Sequence, residues 1–151
     1  MQVEPPVEPV ELQGPEPEKG TVFNKHMVEG MLTEKVASMK ASLDVLTLPE
    51  SVVGLTQAES VISTYCVFRE EANEALKCLE PYTDAALTPR HRDVRIALYV
   101  LASACDAHDL VKLGPTADLE QRLFVQAAVR FLKRFHIAMK PKKKKKRKKR
   151  R

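Results

Sequence analysis

The sequence contains no tryptophan, and only 5% of its residues are aromatic. A core must therefore come from Leu, Val, Ala, Met and Ile, and with so few aromatics and glycines that mixture favours helices over sheets. The five glycines are scattered singly, which excludes a glycine-rich phosphate loop. No GxSxG presents a nucleophilic serine. The three cysteines, Cys66, Cys78 and Cys105, show neither CxxC nor Cys/His spacing. Each sits in an apolar pattern, so they are expected to be small buried hydrophobes of a reducing compartment, slow toward thiol reagents. No hydrophobic stretch opens the chain, so no secretory signal is expected. The longest apolar run, Ile96 to Cys105, is about half the ~20 residues of a membrane span, and no membrane partner is expected.

What is present in excess is charge, unevenly placed. The chain is 151 residues long with net charge +5. Eleven of its 25 basic residues lie between Lys140 and Arg151, with no acid among them, which leaves 14 bases against 20 acids in the preceding 139 residues. An acidic body of −6 thus carries a +11 appendage. Cations at nearly every position repel at i,i+4 and offer nothing to bury, so residues 140–151 are expected to be a solvated polybasic tail open to polyanions. Residues 1–20 contrast with it: prolines at 5, 6, 9, 15 and 17 and five glutamates predict a second disordered tail, acidic and Pro/Glu-rich. Tethered together, the two tails are expected to attract each other loosely.

Between them, residues 21–139 predict one all-α domain. Val28, Leu32, Val36, Met39, Leu43 and Leu46 recur at helical spacing, predicting a helix over about 25–46 with Thr21 or Asn24 as cap and Pro49 as stop. Gly30 inside it suggests a close helix contact or a later start. A second helix is expected over about 58–80, with Glu70, Glu71 and Glu74 on its solvated face. Thr88–Pro89 predicts the start of a third helix, 89–112, ended by Gly114–Pro115. Its middle, IALYVLASAC, is apolar nearly all round and is expected to be the most buried. The fourth, 118–139, would be capped by Thr116 or Asp118, with Gln121 completing a capping box. Leu119, Leu123, Phe124, Ala127, Phe131 and Phe135 are expected on its inner face. Four such helices with short connections predict an antiparallel four-helix bundle, two stacked helical hairpins being the alternative.

Catalytic chemistry finds no foothold. His91-Arg92-Asp93 spells the tripeptide of a protein-kinase catalytic loop, but no asparagine follows at the required offset and no glycine-rich loop precedes it; its arginines are expected to face solvent. His26, His91, His108 and His136 lack metal-binding spacing, and His108 reads as a solvated histidine at a helix end. No catalytic residue, metal or cofactor is expected. The basic ends of two helices, Arg90, Arg92 and Arg95 on the third and Arg130, Lys133 and Arg134 on the fourth, would meet in an antiparallel pair and form an additional basic surface.

The clearest motif is PKKKKKRK from Pro141 to Lys148. It resembles the monopartite nuclear localisation signals read by importin-type receptors, which implies an import receptor as partner and a nuclear location. Lys140, Lys142, Lys143, Lys144, Lys145, Lys146, Arg147, Lys148, Lys149, Arg150 and Arg151 would also bind nucleic-acid phosphates without base information, since no aromatic is interleaved to stack. The expectation is a non-enzymatic nuclear, nucleolar interaction module, with RNA ranked slightly before DNA and an unidentified protein partner on the bundle. The alternative is a protein–protein adaptor whose tail is only an address.

Overall fold

Asn24 opens the first helix by accepting the Met27 N–H on its side chain, and the chain from there is helical almost throughout. The structure, a computed structural model, describes residues 23–140; the expectations for 1–20 and for most of 140–151 lie outside them. Four long helices, α1 (Lys25–Val45), α3 (Gln57–Leu79), α4 (Pro89–Ala107) and α6 (Asp118–Met139), alternate with two single turns, α2 (Glu50–Val53) and α5 (Leu110–Leu113). Cross-links fix their antiparallel order. Thr64 near the start of α3 donates to the Ser42 carbonyl near the end of α1. Tyr65 reaches Cys105 late in α4, and His108 just past α4 meets Glu120 in the first turn of α6. The fold is the expected all-α bundle.

Local chemistry sets most boundaries. Thr56 and Glu59 form a capping box at α3, and the Thr88 side chain caps α4 with Pro89 in its first turn, where a missing N–H costs nothing. Gly54 ends α2 in the left-handed region, φ 82°, a conformation glycine adopts without steric cost. At the far end Lys140, preceding a proline, turns extended with ψ 134°, as proline requires of its neighbour.

Gly30 has no close contact. A Cβ built on it meets nothing within 4 Å, and α1 begins five residues earlier at Lys25. Gly30→Ala should therefore stabilise the fold by about 0.5–1 kcal/mol through unfolded-state entropy and helix propensity. A loss in denaturant titration would mean that a neighbour packs against this position.

Three further expectations are corrected. The third helix does not reach Lys112: it ends at Ala107, and Asp109 caps a separate turn by accepting the Lys112 N–H. That break lets Leu110 swing inward to full burial. Neither Thr116 nor Asp118 caps α6. Its N-cap is Ala117, and Gln121 donates to the Pro115 carbonyl instead of closing a capping box. Leu119 is 56% exposed, because five residues at 3.6 per turn set it about 140° around the helix from the buried Phe124.

The most enclosed helix is α3, not α4. It packs against α1, α4 and α6, and buries Val61, Tyr65, Phe68, Ala72, Ala75 and Leu79. On α4 only one stripe is covered, with Val94, Ala97, Leu98, Leu101 and Cys105 buried, while Ile96, Tyr99 and Val100 are 53%, 56% and 55% exposed. An apolar run is buried only over the sector that other helices cover, and α4 is covered chiefly by α3 and α6, with α1 meeting its first turn at Arg90 and His91.

Two polar features hold the layers in register. Lys35 of α1 lies between Glu71 and Glu74 of α3, at 3.2 and 2.7 Å. Those glutamates are thus partnered rather than merely solvated, and the lysine hydrogen bond holds the Glu74 carboxyl below its ordinary range. The buried Tyr65 hydroxyl donates to the Cys105 carbonyl at 2.7 Å. That acceptor sits in the last turn of α4, where carbonyls lack helical partners, and burial pushes the Tyr65 pKa up to about 12.

Candidate nucleic-acid interface

The antiparallel packing of α4 on α6 brings the start of one helix beside the end of the other, as the basic-surface expectation required. The side chains then divide. Arg95 donates to the Leu79 and Tyr82 carbonyls at 3.1 and 2.8 Å and pairs with Asp84. Arg92 donates to the Asp84 carbonyl at 2.7 Å, and Arg90 faces Glu29 at 3.9 Å. These arginines tie the α3–α4 connection and α1 to the start of α4; they do not all face solvent. Three of the six expected cations are therefore engaged in holding the fold.

The other three are different. Arg130, Lys133 and Arg134 are exposed, and among the described residues none of them has an acidic partner within 4.0 Å. Arg130 and Arg134, one turn apart, edge a groove between α4 and α6 whose walls include Ala97, Val100, Leu123 and Ala127. Lys133 faces the other flank of α6, toward α1. The last turns of α6 thus present cations on both sides and deliver the chain to Lys140, exposed at the start of the basic run. Residues 142–151 lie outside the described residues.

The histidines do not converge. His91 is fully buried, its Nδ1 beside the Thr88 hydroxyl and its ring 4.9 Å from Phe23. His108 pairs with Glu120 and so is not simply solvated, while His26 and His136 are exposed. Among the described residues no group of three His, Cys, Asp or Glu side chains could hold a metal ion, and no helix is long and apolar enough to cross a membrane.

His91 should leave a pH signature. Burial holds its pKa below the ordinary value, against the pull of Glu29 at 3.4 Å and with the push of Arg90 and Lys25. The folded protein therefore binds fewer protons there than the unfolded chain. Its stability is full above the unfolded pKa of about 6.5 and declines as the pH falls below it. His91→Gln should flatten the fall of Tm between about pH 6.5 and 5; an unchanged slope would exclude His91 as its source.

The cysteines do not form one buried class. Cys105 is buried, Cys66 half-buried and Cys78 exposed on the outer face of α3, so the expectation of three slow thiols is corrected. Burial pushes the Cys105 thiol up to about 12, which leaves almost no thiolate to react. Under a thiol reagent the first adduct should map by mass spectrometry to Cys78 and the last, on unfolding, to Cys105. Early labelling of Cys105 would contradict the packing.

Neither the exposed apolar face of α4 nor the division among the six cations is legible in the sequence, since both depend on which helices lie alongside. Comparison with protein-family models, with curated proteins and with solved structures gives no match to this chain.

Proposed function

We propose that this chain is a non-enzymatic nuclear and nucleolar interaction protein. Its Lys/Arg run binds nucleic-acid phosphates without sequence readout and also serves as nuclear localisation signal. The observation that carries this reading is continuity of positive charge. Arg130, Lys133 and Arg134 on the end of α6 lead into Lys140 and the run to Arg151. Lysine and arginine meeting phosphate hold a nucleic acid in place without reading its bases. RNA is ranked ahead of DNA, and competition between the two decides the order.

A second reading rests on a separate observation. Ile96, Tyr99 and Val100 form an uncovered apolar stripe on α4, of the kind that marks protein contacts. In that reading the bundle is an adaptor and the basic run only an address for an import receptor. The two separate in one cellular experiment. Residues 140–151 are removed, nuclear import is restored with a heterologous signal, and RNA crosslinked to the protein by ultraviolet light is measured. Loss of crosslinked RNA from the relocalised protein supports phosphate binding by the run. Undiminished crosslinking would leave the run as an address, and unchanged nuclear import before restoration would remove the localisation role.

A further inference from the structure

The bundle closes three of its four seams. The pairs α1/α3, α3/α4 and α4/α6 pack along their lengths, whereas α1 and α6 meet only briefly. The reason is that α6 leans toward α3, where Phe124 packs edge-on against Tyr65 and Phe68 at 5.3 and 5.7 Å. The open seam holds a groove of about 450 Å³. Its floor is apolar, made by Val36, Leu132, Phe135 and Ile137, and its rim carries Lys40, Lys133 and His136. Ile137, at 71%, is the most exposed large apolar side chain among the described residues. Among the described residues Lys133 has no acidic partner within 4.0 Å. Among the described residues Lys40 has only Asp44, an exposed i,i+4 pair at 3.0 Å, and exposed pairs of that kind hold weakly in water.

An occupant for this groove needs apolar side chains alternating with acids, and the chain carries such a segment. Residues 3–12 read VEPPVEPVEL, with Val-Glu three times in ten residues. In a polyproline conformation, at three residues per turn, Val7 and Val10 would share one face and Glu8 and Glu11 the next. That backbone has no internal hydrogen bonds to satisfy, which suits a groove made of side chains rather than a free strand edge. The reach is sufficient. Phe23, the first described residue, rests against Tyr82 and His91, at the end of the bundle where α6 also finishes. From there Val36 lies about 17 Å along the axis of α1, and the ten residues 13–22 span up to about 33–36 Å when extended.

We propose that residues 3–12 dock in the α1/α6 groove, Val7 and Val10 on its apolar floor and Glu8 and Glu11 against Lys133 and Lys40. Charge alone would attract the acidic segment to any cation of the chain; the valines and the open seam give it one place. The contact does not depend on nucleic-acid binding, and the test uses none.

Amide spectra of the isotopically labelled full chain are compared with those of Val7→Ser/Val10→Ser and Glu8→Gln/Glu11→Gln variants, whose substitutions lie outside the described bundle. Both variants should shift the signals of Val36, Lys40 and residues 132–137 in the same direction, leave residues 80–88 and 114–117 unmoved, and behave identically on tenfold dilution. Groove signals that ignore the valine substitutions would overturn the proposal in favour of attraction by charge alone. Shifts along Arg130 and Arg134 on the α4 side would place the segment elsewhere. Concentration-dependent shifts would assign the groove to the segment of a second copy.

Discussion

Replacing Phe124 with alanine is expected to cost about 3–5 kcal/mol, the largest loss from any single substitution considered in this bundle. Phe124 is fully buried and stands edge-on to both Tyr65 and Phe68, with interplanar angles of 74° and 85°. Truncation removes the transfer free energy of the ring and two aromatic contacts, and leaves a cavity lined by α3 that rigid neighbours cannot fill. Against a typical total stability of about 5–15 kcal/mol, this would lower Tm by more than about 10 °C. On α4, Leu98→Ala and Leu101→Ala, both 1% exposed, should cost about 2–5 kcal/mol each. Ile96→Ala, on the uncovered face of the same helix and 53% exposed, should stay within about 0.5 kcal/mol. Denaturant titration of the four variants checks the set. Equal losses for Ile96 and Leu98, or a Phe124 loss below about 1 kcal/mol, would mean that the core lies elsewhere.

The second large effect is on nucleic-acid affinity. If about 6–8 cations of the basic run meet phosphates, log K should fall against log[salt] with a slope near −5 to −7 on B-DNA, at about 0.9 per contact. Between 50 and 200 mM salt that amounts to a loss of roughly 10³–10⁴ in affinity. Deleting residues 142–151 should remove most of the slope, and random and defined sequences should bind within a few-fold of each other. Substituting Arg130, Lys133 and Arg134 together with alanine should reduce the slope by up to about 2–3 if all three contact phosphate. Arg92→Ala and Arg95→Ala should not reduce it by that route, because their guanidinium groups serve the α3–α4 connection. A flat salt profile, or one indifferent to the deletion, would end the phosphate-binding reading.

Much of the fold follows from local chemistry. Asn24, Thr88–Pro89, Pro49 and Lys140–Pro141 act within one turn of themselves, through a side-chain cap or a steric exclusion, so helix ends there are readable without knowing the neighbours. The four apolar stripes are periodic for the same reason. The charge asymmetry and the basic run are likewise properties of sequence, since they depend on no contact at all.

What only the tertiary structure decided is which faces are covered. The run IALYVLASAC could not reveal which sector of α4 its neighbours occupy, so Ile96, Tyr99 and Val100 stand outside while α3 fills the centre. The break at His108 is decided by Leu110 finding a place in the core, a long-range gain exceeding the preference for one continuous helix. Six basic residues look equivalent in sequence; Arg90, Arg92 and Arg95 turn inward because carbonyls and carboxylates of α1 and the α3–α4 connection lie within reach, and Arg130, Lys133 and Arg134 remain outward because among the described residues no acid does. The open α1/α6 seam has the same origin: it exists because Phe124 draws α6 toward α3, and burial of that ring against Tyr65 and Phe68 depends on two helices distant in sequence meeting in space.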